Sequence, residues 1–542
     1  MATGAVTLSV YLTLAVLLGV YRIDTSGVTP YRGCKAVFAA MTSCPLAIVE
    51  QIIFSGYLLS ILRGSYSRVT AVLVPALLFG LIAQLQNSQE LTSTPSQLLV
   101  VGIFFAAVLL GLLRLACGSI LLPAGLLAGW LMVGRVVSKT KLLLWQPHEP
   151  WSSWLAPYAD PRRSPVMWLV LGLGILGVSL YLLRRGEGSV PNLAPALDRN
   201  FKRWFPLSNS SILAPLDVWF PELLRARFRV GVIYLPRLLA GFIISTANTL
   251  LTLPERVIVP LIIRRRQLRD PVFVVGTHRS GTTHLHNLLA LDAQFRTPRA
   301  FHTMNPHGCV FSGWLVTPLL GAFMPWSRPM DSVRFHIFSP QEDEFGVLGM
   351  GGQSPLWGMT FPKQWQRYDR YIFPDRLSQK EKRKWKRNYL GFLKRVFIWS
   401  SKRPLLKNPY NTARVGILQE MFPNASFVHI CRHPYTVYGS NRHMAREGHV
   451  LTQLQDPDAD NSYDENFIGN YRAMEDAFQT ESQRLASDQV AKIRFEELER
   501  DPVSVIRSIY KQLNLQFTTR YEHALNNYLE TISDYRKNRH PE

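Results

Sequence analysis

The chain has 542 residues, of which 47% are hydrophobic and 18% charged, more apolar side chain than a soluble chain of this length needs, and the excess lies in the first third. A formal net charge of +22 suits nucleic acid, an anionic membrane surface or a polyanionic small molecule; with long apolar runs present and no nucleic-acid-binding motif, a lipid-facing basic surface is the reading and nucleic acid is excluded as a partner. The scattered cysteines, Cys34, Cys44, Cys117, Cys309 and Cys431, have no C-x-x-C or Cys/His ligand spacing, which points to a reducing compartment and excludes a structural zinc.

Residues 1–190 read as a multi-span α-helical membrane region. No charge precedes Arg22, and further apolar runs follow at 36–62, 69–82, 98–113, 118–134 and 166–183, each near the roughly 17–25 residues that a membrane helix requires. The first run lacks a basic flank and is followed by several more, so it reads as a retained span rather than a cleaved signal. Arg184 and Arg185 close the region and, by the positive-inside rule, put the following segment in the cytoplasm, as in a bacterial-type inner membrane.

Three stretches of this region, EQIIFSGYLLSIL (50–62), LLFGLIAQ (77–84) and GSILLPAGLLAGW (118–130), resemble the motifs of CPBP-type intramembrane proteases. That family carries two adjacent glutamates, an arginine and histidines that bind metal or act in catalysis. Here Glu50 is followed by Gln51, Ser55 stands at the arginine position, and Ala83 and Gly129 or their neighbours stand where the histidines belong. A metal-activated water needs those ligands. The resemblance therefore implies a degenerate, non-catalytic scaffold that anchors the chain or gates a lipid acceptor.

Residues 191–270 form a connecting segment that mixes aromatic, basic and apolar residues: FKRWF (201–205), DVWFPELLRARFR (217–229), then an uncharged run over 238–253. Such a segment suits an interfacial helix or shallow hairpin. A helix buried against the following domain is the alternative, and both stay open.

From residue 271 to 542 short apolar runs alternate with helical patterns. Strands are expected at 272–276, 404–407, 426–430 and 490–495, and helices from about 282, at 413–421, at 434–444 and at 503–513, which predicts an α/β, P-loop-like domain with a parallel sheet flanked by helices.

After the strand VFVVG the chain reads THRSGTT and enters a helix, so backbone N–H groups and the positive end of the helix dipole converge where an anion can bind. Against the pattern G-x-x-x-x-G-K-[ST], Gly276, Gly281 and Thr283 are in place, but Thr282 occupies the lysine slot and the cation is Arg279. A triphosphate site without that lysine is poorly equipped for phosphoryl transfer, which disfavours a kinase or NTPase.

The run G-x-x-R-S-G-T-T after a strand resembles the 5′-phosphosulfate loop of sulfotransferases that use 3′-phosphoadenosine 5′-phosphosulfate (PAPS). The resemblance implies that Gly276, Thr277, His278, Arg279, Ser280, Gly281, Thr282 and Thr283 bind the donor as co-substrate, with Arg279 stabilising charge on the leaving phosphate and no metal required. Arg432 at the end of a strand and Ser440 in the next helix, within FPNASFVHICRHPYTVYGS, can clamp one phosphate from two sides. They resemble the family's 3′-phosphate motif. Similarity to the family runs from about 271 to 538.

Sulfonyl transfer needs charge stabilised at both ends of the displacement and one proton removed. Lys407, in LLKNPYNTAR, resembles the family's second lysine near the sulfonate. No histidine follows it, and Ala300, Phe301 and His302 stand where other members carry a glutamate. The remaining candidates for the base lie in SPQEDEFG: Glu342 or Glu344 is preferred, then His302. An acidic turn or helix cap is the bland reading of that stretch. His284 and His286, two apart on a helix, do not face one site together and read as packing residues. The acceptor is a small-molecule, lipid or carbohydrate hydroxyl, and a bilayer is a further partner. An inactive membrane scaffold is the non-enzymatic rival, disfavoured by the intact pair Arg279 and Arg432.

Overall fold

The computed structural model describes residues 1–26, 28–65, 67–86, 94–185, 213–313, 316–317, 335–457 and 462–532, which fall into two compact units. The stretch FKRWF and the 190/191 boundary lie outside the described residues.

The N-terminal unit is helical. Helix α1 (Ala2–Leu17) is followed by α2 (Pro30–Gln51), which runs through a π-helical turn (Ile52–Leu58) into α3 (Leu59–Ser65). Then come α4 (Arg68–Gln86), α5 (Thr94–Cys117), α6 (Leu121–Thr140) and α7 (Pro165–Arg185). Strands β1 (Tyr21–Ile23) and β2 (Leu143–Trp145) pair antiparallel beside them. In this unit Pro30–Leu58, Gln97–Cys117, Leu121–Thr140 and Pro165–Leu183 are long and apolar enough to cross a membrane. Their large apolar side chains, such as Leu169, Leu173 and Leu176, point outward, the arrangement that a lipid solvent favours.

Glycine, rather than bulk, joins α1 to α6. A Cβ at Gly4 would lie 2.1 Å from the Leu126 carbonyl oxygen, and one at Gly129 would lie 2.3 Å from the Met1 carbonyl oxygen. The two backbones touch because small residues let them approach. Gly129 thus has a packing role within the stretch 118–130 that resembles the third protease motif.

In the C-terminal unit, α8 (Leu216–Arg225) and α9 (Leu235–Ile263) precede a five-stranded parallel sheet. Its strands are β3 (Val272–Val275), β4 (Phe295–Arg296), β5 (Arg403–Lys407), β6 (Ser426–Cys431) and β7 (Val490–Arg494), in the order β4-β5-β3-β6-β7. The register pairs Val272 with Leu405 on one side and with Ser426 on the other. The four expected strands are present to within a residue at each end. The two-residue edge strand β4 carries no alternation that a sequence reading can detect.

Side chains of β3 alternate between two cores, as the period of two requires. Val272 and Val274 pack with α10 (Thr282–Leu289), α17 (Pro502–Gln512) and α18 (Thr519–Thr531) through Leu285, Ile506 and Tyr521. Phe273 and Val275 face α13 (Gln379–Val396), α14 (Val415–Met421) and α16 (Ser462–Ser482) through Tyr389, Leu418 and Phe478. Two shorter helices, α11 (Ala300–Met304) and α12 (Asp343–Gly351), and the longer α15 (Pro434–Gly448), complete the elements around the sheet's carboxyl edge. Strand order reverses direction about β3, so the loops leaving β3 and β6 open side by side at that edge, where α/β sheets bind ligands.

Candidate active site

The loop 276–281 between β3 and α10 has a tightly specified backbone. Gly276 and Gly281 adopt φ of +140° and +100°, and Arg279 is left-handed at φ 70°. A Cβ on Gly276 would lie 2.3 Å from the Ile430 carbonyl oxygen, and one on Gly281 would lie 2.2 Å from Phe495 Cδ2, so glycine is required twice. A left-handed arginine costs about 1 kcal/mol or more, a strain that clusters at ligand sites. Gly276 donates its N–H to Thr412 Oγ1 at 2.8 Å, and Ser280 Oγ donates to the Thr277 carbonyl at 2.8 Å, fixing the loop from inside. Gly281 is the N-cap of α10 and provides no side-chain cap, so the first-turn N–H groups have no intrahelical partner where the loop enters the helix.

A second cation reaches the loop from the neighbouring strand. Lys407, at the end of β5, is buried, donates to Thr283 Oγ1 at 3.2 Å and pairs with Glu342. Glu342 is the N-cap residue of α12 but turns its carboxylate to this lysine instead of capping the helix. His278 meets the Tyr410 ring edge-on at 4.6 Å, and burial holds its imidazole below the ordinary pKa.

The second half of the site comes from β6 and α15. Ser440 Oγ accepts a hydrogen bond from Arg279 Nε at 2.9 Å, which joins residues 161 positions apart. The Arg432 guanidinium lies 4.3 Å from the Phe495 ring centroid, and its Nη1 points to the Arg279 carbonyl at 3.5 Å. Phe495 thereby backs both Gly281 and Arg432. The loop, Lys407, Glu342, Arg432 and Ser440 are thus brought together, a set that suits two separated anionic groups with one carboxylate in reach.

Glu344 and His302 stand apart from that set. Glu344 is fully buried, accepts from Arg414 Nη1 at 2.6 Å and from Asn408 Nδ2 at 2.7 Å, and so sits in an interior ion pair behind the strand end. His302 accepts the Arg299 N–H on Nδ1 at 2.9 Å, and burial with nearby Arg296 and Arg299 pushes its pKa down to about 3. His286 hydrogen-bonds Thr297 Oγ1 at 2.7 Å and is likewise pushed down to about 3 by burial. Between the two glutamates, burial raises Asp343 to about 7 while the Tyr389 hydroxyl donates to it at 2.5 Å. Thr412, Phe495 and Arg414 were not legible as site-supporting residues, because each acts on a partner remote in sequence.

Among the described residues no group of three or more His, Cys, Asp or Glu side chains is placed to hold a metal ion. In the N-terminal unit, Gln51 and Ser55 are buried in a small cavity with Phe54, Val72 and Phe79, at the π-helical turn.

Residues 271–519 match the sulfotransferase family, and residues 32–133 match the type II CAAX prenyl endopeptidase Rce1-like family. The omega-hydroxy-beta-dihydromenaquinone-9 sulfotransferases Stf3 of Mycobacterium bovis and Mycobacterium tuberculosis are each 29% identical over 326 residues, 59% of this chain and 83% of theirs. Among solved structures, sulfotransferase STF1 of Mycobacterium tuberculosis aligns at 17% identity and TM-score 0.45, over 58% of this chain and 88% of its own. Sulfotransferase STF9 of Mycobacterium avium aligns at 18% identity and TM-score 0.40, over 53% and 74%. Residues 271–519 are accordingly similar to the sulfotransferase family and follow, at 32–133, a segment similar to the Rce1-like family.

Proposed function

We propose that the C-terminal unit transfers a sulfonate group from PAPS to the hydroxyl of a lipid-like acceptor at the membrane. One observation supports the reading above others: Arg279 of the first loop donates to Ser440 of α15 at 2.9 Å, which brings the two proposed anion-binding halves within hydrogen-bond reach. The glycine cradle and the uncapped start of α10 fit a 5′-phosphosulfate, and the forked guanidinium of Arg432 with Ser440 fits a 3′-phosphate.

In this reading Glu342 is the general base. The acceptor oxygen bonds to sulfur, the bond from sulfur to the 5′-phosphate oxygen breaks, the acceptor proton passes to the Glu342 carboxylate, and 3′,5′-ADP departs with the bonding pair. Lys407 and Arg279 balance the charge that grows on the sulfonate and the leaving phosphate. Lys407 and Glu342 form an ion pair at the edge of the loop. An arriving sulfonate competes for the ammonium and frees the carboxylate to accept a proton.

The omega-hydroxyl and isoprenoid quinone named for the mycobacterial relatives motivate a hydroxylated, membrane-resident acceptor here. The further elements of the proposal are a membrane region over 1–190, a connecting segment over 191–270 and a transferase over 271–542 that faces the cytoplasm of a bacterial-type inner membrane, where the donor is made. The protease-like segment is proposed to be a scaffold, since Gln51, Ser55 and Gly129 supply neither metal ligands nor a water-activating base. Calorimetric titration separates the readings. Binding of 3′,5′-ADP without magnesium supports the transferase, binding of Mg-ATP alone would replace it with a kinase, and binding of neither would leave a scaffold.

A further inference from the structure

Helix α9 (Leu235–Ile263) is amphipathic in the reverse of the usual sense. Its buried residues include Arg237, Ser245, Asn248, Thr252 and Glu255, whereas Leu239, Ile243, Leu250, Val257 and Leu261 are each at least 60% exposed. At about 100° per residue the two sets form stripes on opposite sides of the helix. A helix that hides its polar stripe and presents leucine, isoleucine and valine outward is solvated by something other than water.

The polar stripe is fastened to the C-terminal unit along its length. Near one end, Arg237 Nη1 donates to the Gln453 carbonyl at 2.6 Å and to that of Val450 at 3.1 Å. In the middle, Asn248 Nδ2 donates to the Leu213 carbonyl at 2.6 Å and Ser245 Oγ to the Ala214 carbonyl at 2.7 Å. Toward the other end, the Glu255 carboxylate accepts the N–H of Val310 at 3.1 Å and that of Phe311 at 2.9 Å. Arg237 and Glu255 are roughly 27 Å apart along the axis, close to the roughly 30 Å thickness of a bilayer's hydrocarbon core. The stretch Val232–Ile263 is long and apolar enough to span, yet a spanning helix would carry this whole polar contact into hydrocarbon.

Charge selects the occupant of the outer stripe. Arg227 and Arg229 are exposed before α9, beside the exposed Phe228, and Arg264 and Arg265 are exposed after it. Trp399, 69% exposed, adjoins the Ser400 carbonyl that Arg266 holds at the same end. Of the acids in 213–269, Glu222 and Glu255 are buried and Asp217 is tied to Arg256. Basic residues at both ends of an apolar stripe, with an aromatic at one end, match an anionic lipid headgroup layer above hydrocarbon.

We infer that α9 lies flat in the membrane interface, its Leu239–Leu261 stripe sunk in lipid and its polar stripe holding the sulfotransferase-family unit, so that this unit docks on the bilayer without being crossed by it. The inference is independent of the transfer chemistry.

The test uses the full chain with its native cysteines replaced, in nanodiscs containing anionic phosphatidylglycerol. Single cysteines at Leu239→Cys, Ile243→Cys, Leu250→Cys and Val257→Cys carry a fluorophore, and lipids carry a quencher either near the headgroup or at the chain end. The expected result is quenching at all four positions, several-fold stronger from the headgroup-proximal quencher and even along the helix. Quenching that moves to the chain-end lipid at Leu250 would mean a span, and no lipid quenching would mean a protein-covered or wet face; either overturns the inference. Val232→Cys and Gln267→Cys give a second measure in sealed vesicles. An impermeant maleimide should label both from the same side, and labelling from opposite sides would overturn it. All six positions lie off the buried stripe, so the labels leave the packing of α9 intact.

Discussion

Replacing Arg432 by alanine should weaken one class of nucleotide and spare another. The guanidinium is half-buried, stacked 4.3 Å from the Phe495 ring centroid and beside the Arg279 carbonyl, and the proposal assigns it to the 3′-phosphate. A charge-assisted hydrogen bond is worth about 1.5–3 kcal/mol, and solvent at a half-open site favours a net loss of about 2–3 kcal/mol for the forked contact. That corresponds to about 30- to 150-fold weaker binding of 3′,5′-ADP. Binding of 5′-AMP, which lacks the 3′-phosphate, should change by less than about threefold. Arg432→Lys keeps a charge without the fork and should fall between. Isothermal titration of both nucleotides to the three proteins is the assay, with thermal unfolding as control because the lost cation–π contact costs about 0.5–1 kcal/mol. Equal weakening of both nucleotides, or of neither, would refute the assignment of Arg432 to the 3′-phosphate.

The neighbouring carboxylates should separate by what they lose. Glu342→Ala should reduce turnover at least about a hundredfold with nucleotide binding retained, and His302→Ala should leave turnover within a few-fold; steady-state rates with PAPS check both, and the reverse pattern would move the base to His302. Glu344→Ala leaves Arg414 buried without its carboxylate, so a destabilisation of about 3–5 kcal/mol is expected in thermal unfolding or limited proteolysis; unchanged stability with lost turnover would instead make Glu344 the base. Asp343 has a folded pKa of about 7 against an ordinary 3.8, so the folded state keeps a proton that the unfolded state gives up. Stability from this group is full below the unfolded value and is lost as pH rises toward 7. Asp343→Asn should therefore gain in unfolding temperature relative to the parent between pH 5 and pH 7, and a constant difference would contradict the burial argument.

What could be read from the sequence depended on how local its cause was. Strand β3 announces itself because Val272, Phe273, Val274 and Val275 are all apolar and a glycine follows, and the two glycines of the loop mark positions where the backbone admits nothing else. The missing lysine was legible as Thr282, and Lys407 was legible only through the resemblance of LLKNPYNTAR; its contacts with Thr283 and Glu342 depend on two strands pairing far apart in sequence, which no local pattern carries. Within the run of three carboxylates the sequence favours Glu342 or Glu344 as base without separating the two. The helix start at Asp343 sends Glu342 to Lys407, Asp343 to Tyr389 and Glu344 to Arg414, three directions set by three remote partners. His302 reads as a reactive histidine in isolation, yet its Nδ1 is engaged by the Arg299 N–H of its own turn. For α9 the sequence left interfacial and buried helix open; the structure buries Arg237, Ser245, Asn248, Thr252 and Glu255 and exposes Leu239, Ile243, Leu250, Val257 and Leu261, a division that one-dimensional hydropathy averages away.

Sulfonate transfer itself is tested most directly by giving the 542-residue chain, in membranes, radiosulfur-labelled PAPS and an isoprenoid quinone bearing a terminal hydroxyl. The account predicts label in the organic phase, one 3′,5′-ADP released for each sulfonate transferred, no need for added metal, and loss of the signal in Glu342→Ala. Donor left intact by the parent protein, or label released only as inorganic sulfate at the same rate in parent and variant, would contradict it.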